Sequence, residues 1–265
     1  MTTNIHCHVL SKRWTHYINK GCNSSHSEIH KQNKFIVHLI YKYTITLKIY
    51  THVVSMIKAA TSRQAIYLNA LRSKLKPIVI ATGPAGTGKS LLACQVGAEQ
   101  LHAKQIDRLV ITRPAVCADE DLGYLPGKLE EKMDPYMRPI MDILDGYFTK
   151  SRVRQFMAQG TIEIAPLAYM RGRTFTKSYI LGDEMQNSTV NQMKMILTRL
   201  GEDSKMVITG DIDQCDLNID GPNGLLDVTG KVRDIGELDH IAHVTLKDED
   251  IQRHEAVTEV LRLYD

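Results

Sequence analysis

The sequence predicts an α/β domain with a central, mainly parallel β-sheet flanked by helices. Three short apolar segments predict buried strands, PIVIA at 77–81, YIL at 179–181 and VIT at 207–209, because each suits a sheet interior and ends abruptly in polar residues. An amphipathic helix pattern follows the first strand. Since open α/β sheets bind ligands at the carboxyl ends of their strands, the polar residues there form the candidate site.

The first strand runs into GPAGTGKS, residues 83–90, which has the spacing of a phosphate-binding loop ahead of a helix. Glycines let the backbone curl until its N–H groups converge on phosphate oxygens, and the helix N-terminus adds positive potential. We expect ATP here, with Lys89 bridging its β- and γ-phosphates and the Ser90 hydroxyl ligating Mg²⁺. The alternative is a glycine-rich turn without a ligand. The predicted ATP-binding residues of this loop are Gly83, Pro84, Ala85, Gly86, Thr87, Gly88, Lys89, Ser90 and Leu91.

Two acids follow a later strand, in SYILGDEMQN at 178–187, and another strand is predicted before it at 106–112. We expect the acid-bearing strand to lie beside the P-loop strand, so that Asp183 holds Mg²⁺ through water and Glu184 polarises the attacking water. An aspartate followed by a glutamate favours hydrolysis over phosphoryl transfer to a small molecule. The alternative is a pair of surface acids at the start of a loop.

The segment VITGDIDQCD, residues 207–216, predicts a further strand next to the P-loop strand. Gln214 is then expected to reach the γ-phosphate or the attacking water, because a neutral amide can both donate and accept hydrogen bonds. It would register whether the γ-phosphate is present, and Asp211 would be a supporting acid near the metal. A plain turn after a strand is the alternative.

Seven motifs occur in one order and together resemble the PhoH family of phosphate-starvation-inducible ATPases. They are GPAGTGKS, VITRPAV, LGYLPGKLEEKMDPYMRPIMD, LAYMRGRTF, ILGDEMQN, VITGDIDQCDL and DIQRHEAV. The resemblance covers roughly residues 59–264, and it implies a RecA-like P-loop domain, similar to the core of superfamily 1 helicases, that uses ATP and Mg²⁺. Gly182 and Met185 depart from the residues that the family more often has beside the two acids.

The resemblance adds one candidate ahead of the P-loop and implies a cation for hydrolysis. Gln64 lies where helicase-like proteins have a glutamine that reads adenine, which a planar amide can pair with; a solvent-facing helical glutamine is the alternative. Hydrolysis of this kind usually places a cation on the γ-phosphate. The candidates are Arg113, Arg171, Arg173 and Arg253. We expect Arg253 to contact ATP. Arg171 and Arg173 are expected to contact either ATP or nucleic-acid phosphates.

A single RecA-like lobe implies that the second lobe comes from a neighbouring subunit, so we expect a ring or another head-to-tail homo-oligomer. The resemblance implies ATP hydrolysis coupled to RNA or single-stranded DNA. We expect residues 119–160 to form a helical insertion in which basic residues, acids and aromatics are interleaved. This composition allows stacking on a single strand, although packed aromatics in mixed-charge helices are the alternative. An ATP-switched assembly factor and a small-molecule kinase are the other functions that we weigh.

Residues 1–55 differ in composition from the rest of the chain. They hold seven Lys or Arg, one acid and no Ala, Asp or Pro, whereas residues 56–265 have a net charge of −3. We expect 1–55 to be an extension that is poorly ordered or outside the authentic chain, and 56–265 to be the ATPase domain. A β-hairpin at 35–49 and a metal site at Cys22, His26 and His30 are the alternatives.

Membrane spans, signal peptides and cysteine patterns are the sequence features that indicate where a protein is located. No stretch is apolar enough to span a membrane, and no signal-peptide pattern is present. The five cysteines are scattered and odd in number, which favours reduced thiols. We therefore expect a cytoplasmic protein that contacts no membrane.

Overall fold

Six parallel strands form one sheet in the computed structural model, which describes residues 58–114, 129–216, 221–253, 255–261 and 263. Along the sheet the order is β3-β2-β4-β5-β1-β6. The strands are β1 Ile78–Thr82, β2 Arg108–Arg113, β3 Ile162–Pro166, β4 Ser178–Gly182, β5 Lys205–Gly210 and β6 Ile241–Thr245. The helices are α1 Ser62–Arg72, α2 Lys89–His102, α3 Leu129–Tyr147, α4 Lys150–Ala158, α5 Val190–Leu197, α6 Gly224–Ile235 and α7 Glu255–Leu261. The predicted RecA-like α/β fold with a parallel sheet is confirmed.

The central strands are apolar because helices cover both faces of the sheet. Every residue of β4 and β5 is buried, and in β1 only Ile78 is partly exposed. Ile80 and Ile208 pack in one core cluster with Ile180, and residues from α5 and α6 close over that cluster. Burial on both faces explains why these strands read as continuous apolar runs without alternation.

The order of the strands confirms one prediction about the site and corrects another. Strand β5 pairs with the P-loop strand β1, with Val79 opposite Val207, as predicted. Strand β4 pairs with β5 and β2, so the expectation that Asp183 follows a strand directly beside β1 is wrong. The reason is the β1–α2–β2 crossover, in which α2 runs across β5 and β4 and brings its first turn toward the end of β4.

Hydroxyl and amide side chains fix the starts of four helices. Thr61 accepts a hydrogen bond from the backbone N–H of Gln64 at the start of α1, and Asn223 does the same for Leu226 in α6. Thr149 caps α4, and Thr189 forms a reciprocal capping box with Gln192 in α5. Each cap satisfies a backbone donor that the first helical turn leaves unpaired.

Several predictions from the sequence lie outside the described residues. They concern the extension at 1–55 with its alternative hairpin and metal site, and residues 119–128 of the helical insertion predicted at 119–160. Across the described ranges, no helix is both long enough and apolar enough to cross a bilayer.

The buried Lys205 predicts how stability depends on pH. Its Nζ donates to the carbonyl oxygens of Ala70, at 2.8 Å, and Ser73, at 2.6 Å, and so caps the end of α1. Burial lowers the pKa of Lys205 to about 8. The folded state therefore binds fewer protons than the unfolded chain between this pKa and that of a free lysine, so this group adds stability as pH rises through that window.

We expect the wild type to gain stability relative to Lys205→Met between about pH 7 and about pH 9.5, by on the order of 1–2 kcal/mol. Urea unfolding of both proteins at each pH measures the difference in unfolding free energy. A difference that stays constant with pH would contradict the lowered pKa, whatever its absolute size.

Candidate functional site

The loop between β1 and α2 has the backbone of a tight, glycine-dependent turn. Gly83, Gly86 and Gly88 have φ angles of +138°, +85° and +84°, which residues with a side chain rarely adopt. A side chain at position 83 would also overlap the backbone of Leu246, just beyond β6. The Thr87 hydroxyl donates to the carbonyl oxygen of Pro84 at 2.8 Å and closes the turn. The predicted strand–loop–helix arrangement is therefore present.

Lys89 opens α2 and points its ammonium group back into the loop. Its Nζ donates to the carbonyl oxygens of Gly83, at 2.5 Å, and Pro84, at 2.8 Å. Burial lowers the pKa of Lys89, and the negative charges of Asp211, Glu184 and Asp183 oppose that shift. These acids come from the ends of β4 and β5, so the structure brings the predicted lysine and the predicted acids into one electrostatic neighbourhood.

Asp183 is the meeting point of three elements. Its Oδ1 accepts hydrogen bonds from the Ser90 hydroxyl on α2, at 2.5 Å, and from the Thr209 hydroxyl on β5, at 2.6 Å. Its backbone N–H donates to the Thr112 carbonyl oxygen on β2 at 2.9 Å, and the side chain is buried. Hydroxyl and carboxylate oxygens are the protein ligands that Mg²⁺ prefers. Thr209 was not predicted, because its contact with Asp183 depends on the pairing of β5 with β4.

Glu184 sits on a backbone that a residue with a side chain seldom adopts. Its φ and ψ are +52° and +41°, in the left-handed region. Such strain costs energy and is concentrated at functional sites. One carboxylate oxygen lies 3.7 Å from Nη2 of Arg113, and the other accepts from Nε2 of Gln186 at 2.6 Å. Arg113 is therefore beside the predicted base, and Gln186 is a site residue that the sequence analysis missed.

Gln214 and Asp211 occupy the turn that follows β5. Asp211 is buried, and its Oδ1 accepts from the backbone N–H of Asp213 at 3.1 Å. The backbone N–H of Gln214 donates to the Asp211 carbonyl oxygen at 3.3 Å, and its side chain is exposed to solvent. The turn lies at the same edge of the sheet as the P-loop because β5 pairs with β1 in parallel.

Gln64 is buried and braces the P-loop. Its Nε2 donates to the Thr87 carbonyl oxygen at 3.0 Å, and its Oε1 accepts from the Ala60 backbone N–H at 2.7 Å. The alternative of a solvent-facing glutamine is wrong, since only 4% of the residue is exposed. Tyr67 adds a second link from α1, because its hydroxyl donates to the Lys89 carbonyl oxygen at 3.2 Å. Helix α1 therefore supports both sides of the α2 start.

Arg253 is the arginine that the structure brings onto the P-loop. A methyl group at position 86 would lie 2.6 Å from its Nε, so the side chain packs directly over Gly86. The backbone N–H of Gln252 also donates to the Gly86 carbonyl oxygen at 3.0 Å. Upstream, the buried Asp250 accepts a hydrogen bond of 2.5 Å from the Thr61 hydroxyl at the start of α1.

Arg173 is committed elsewhere, at the β3 edge of the sheet. It forms two hydrogen bonds to Glu163, of 2.5 and 2.7 Å, and its guanidinium lies 4.6 Å from the centre of the Phe175 ring. The hydrogen bond from Arg173 lowers the pKa of Glu163. Arg171 is exposed on the turn after β3. Neither arginine is brought to the P-loop in the way that Arg253 is.

The aromatic residues between α3 and α4 pack on one another. Tyr147 is buried and meets Phe148 at 5.0 Å between ring centres, and Phe148 meets Phe156 at 5.3 Å. The Arg152 guanidinium covers the Phe156 ring at 4.4 Å. This arrangement favours the interpretation of packed aromatics over that of rings free to stack on bases.

Comparison with known proteins identifies relatives across most of the chain. The sequence model of the PhoH-like protein family matches residues 56–265. A PhoH-like protein of Mycobacterium tuberculosis (strain ATCC 25618 / H37Rv) is 44% identical over 220 residues, which are 83% of this chain and 61% of the relative. The PhoH-like protein of Bacillus subtilis (strain 168) is 44% identical over 209 residues, 79% of this chain and 64% of the relative.

Among solved structures, the Pif1 helicase from Candida albicans is similar over 78% of this chain and 43% of its own, with 17% identity and a TM-score of 0.40. A likeness of that size carries no functional argument, and the fold rests on the strand order and the P-loop described above. The chain spans about three fifths of the length of the curated relatives that it matches. The match at 56–265 and these identities show that the chain belongs to the PhoH-like protein family, with the fold of a P-loop NTPase.

Proposed function

We propose that the chain binds ATP with Mg²⁺ and hydrolyses it. The observation that carries this proposal is the 2.5 Å hydrogen bond between the Ser90 hydroxyl and Asp183, which joins the first turn of α2 to the end of β4 beside the buried Lys89. A hydroxyl and a carboxylate held together next to a phosphate-binding loop form the protein half of a magnesium–nucleotide site.

Each polar residue then has a role that its position suits. Ser90 and Asp183 would hold the metal, which would supply positive charge to offset that of the phosphates. Lys89 would exchange its two loop carbonyl partners for the β- and γ-phosphates, since its ammonium already lies within the loop. Glu184 would accept a proton from the attacking water.

The P-loop also needs a defined shape, and Gln64 and Arg253 support it from two directions. Gln64 holds the Thr87 carbonyl from α1, and the amide keeps donor and acceptor capacity for an adenine. Arg253, from the segment that precedes α7, packs on Gly86 and would add positive charge near the phosphates. Gln214, exposed on the β5 turn, would contact the γ-phosphate.

The Arg253 role predicts a measurable loss of activity. Arg253→Ala is expected to lower kcat for ATP hydrolysis about tenfold, or about 1.4 kcal/mol of transition-state stabilisation, because it removes the guanidinium over Gly86. Steady-state phosphate release measures the effect. Arg154→Ala is the matched control, since Arg154 is exposed on α4. Equal rates for the two variants would place Arg253 outside the reaction.

We further propose that hydrolysis is coupled to RNA or single-stranded DNA in a head-to-tail oligomer. An exposed aromatic, Tyr169, and the exposed Arg171 follow β3 at the carboxyl edge of the sheet, where a strand could stack and pair with charge. The ATPase rate with and without RNA or single-stranded DNA tests the coupling. Stimulation supports a motor, whereas an unchanged slow rate favours an ATP-switched assembly factor.

Two further measurements separate the remaining alternatives. ADP that forms only when an acceptor metabolite is added would indicate a small-molecule kinase in place of a hydrolase. Sedimentation with ATP present tests the oligomer, because a fully active monomer would contradict the need for a neighbouring subunit.

A further inference from the structure

Gln186 links the predicted base to the turn that follows β5. It lies in the short 3₁₀ turn Met185–Asn187, directly after Glu184, and only 2% of the residue is exposed. Its Nε2 donates to Oε2 of Glu184 at 2.6 Å, and its Oε1 accepts from the backbone N–H of Asp211 at 3.1 Å. One amide therefore touches the carboxylate on one side and the start of the β5 turn on the other.

The Gln186 amide fits closely against the backbone at Gly210. A methyl group at Gly210 would lie 2.5 Å from the Gln186 Oε1 and 3.2 Å from its backbone nitrogen, so a glycine is what lets the amide approach. The carbonyl oxygen of Gln186 accepts from the Cys215 thiol at 3.2 Å. The amide is thus enclosed between the two turns.

A second link joins the same two turns without touching Glu184. Asn187 donates from its side chain to Asp216 at 2.9 Å, and the Asp216 backbone N–H donates to the Asn187 side-chain oxygen at 2.9 Å. The turns after β4 and β5 are therefore held together by the Gln186 amide, by the Cys215 thiol and by the Asn187–Asp216 pair. Among these contacts, the Gln186 amide is the one that ends on the carboxylate of Glu184.

The chemistry of the link requires an amide. An ionised carboxylate needs a donor, and a backbone N–H needs an acceptor, which a glutamine supplies from one planar group. A glutamate would set a second carboxylate against Glu184, and a leucine would satisfy neither partner. On its other side Glu184 lies 3.7 Å from the Arg113 guanidinium, so the amide fixes the half of the carboxylate that this cation does not face.

We propose that Gln186 is a positioning residue that transmits the state of the turn at 211–214 to Glu184. This rests on the proposed function, in which Glu184 takes the proton from water and Gln214 meets the γ-phosphate. When Gln214 closes on that phosphate, Asp211 moves with it, and the Gln186 amide draws Glu184 into line with the water.

Three variants of the full chain test the link: Gln186→Leu, Gln186→Glu and Asn187→Leu. Gln186→Leu is expected to lower kcat about 10- to 100-fold and leave the KM for ATP within about twofold, as for an interaction made only in the transition state. Gln186→Glu replaces the donating amide with a carboxylate and is expected to lower kcat to a similar extent, again with the KM for ATP within about twofold. Asn187→Leu, which breaks the second link, is expected to lose much less.

The outcomes separate this proposal from the one on which it rests. If the wild type releases no phosphate from ATP, the proposed function fails. If the wild type is active but Gln186→Leu and Asn187→Leu lose activity equally, or Gln186→Leu changes only KM, Gln186 is merely structural. If Gln186→Leu does not fold, as judged by circular dichroism, the nearly isosteric Gln186→Glu decides the matter, and an unchanged kcat for that variant overturns the proposal.

Discussion

Glu184→Gln is expected to lower kcat for ATP hydrolysis by about 10³-fold, within the range that a positioned general base contributes. Glutamine has nearly the shape of glutamate but cannot take a proton from water. It can still face Gln186, although the 2.6 Å hydrogen bond would then join two amides. ATP binding should persist, because Lys89 and Ser90 are untouched. Single-turnover phosphate release and equilibrium binding of ATP measure the two quantities separately.

The control for this variant is Glu237→Gln, which makes the same chemical change at an exposed glutamate after α6. Its kcat should equal that of the wild type. A Glu184→Gln protein that hydrolyses ATP at the wild-type rate would remove Glu184 from the mechanism and, with it, the reason for the Gln186 link.

Asp183→Asn is expected to raise the Mg²⁺ concentration needed for activity and to lower kcat about 10²-fold, equivalent to about 3 kcal/mol of transition-state stabilisation. The asparagine oxygen can still accept from the Ser90 and Thr209 hydroxyls, as the aspartate Oδ1 does at 2.5 and 2.6 Å. The fold should therefore persist while the negative charge that attracts the metal is lost. A Mg²⁺ titration of phosphate release measures both effects.

Asp234→Asn is the matched control, since Asp234 is exposed near the end of α6. A thermal melt of both variants shows whether the loss arises at the site or from unfolding. If Asp183→Asn keeps the wild-type dependence on Mg²⁺, the carboxylate serves only to tie α2 to β4 and β5.

The parts of the site that the sequence predicted are those governed by local rules. A glycine-rich turn between a buried strand and a helix has few conformations open to it, so the loop at 83–90 could be predicted from spacing alone. The same holds for Asp183 and Glu184, because acids that directly follow a buried parallel strand lie at the carboxyl ends of the strands, where such sheets bind ligands. The pairing of β5 with β1 followed from the same reasoning and is confirmed.

The parts that could not be predicted depend on contacts between segments distant in sequence. Thr209 meets Asp183 only because β5 and β4 pair in one register, and nothing local to VIT specifies that register. The buried position of Gln186 depends on Gly210, because a side chain at position 210 would overlap the Gln186 amide. Gln64 is buried because α1 packs against the P-loop. The sequence pattern of the helix did not show which of its faces would be buried.

The clasp at the P-loop ties together the opening and closing segments of the described fold. Thr61 at the start of α1 bonds to Asp250, Gln64 in α1 holds Thr87, and the backbone of Gln252 holds Gly86. A C-terminal truncation that removes Arg253 would thus disturb the nucleotide loop. A bulky fusion partner attached immediately ahead of Thr61 would do the same, although both positions are distant from the loop in sequence. An expression design that respects this clasp keeps both segments intact and puts any purification tag well away from them.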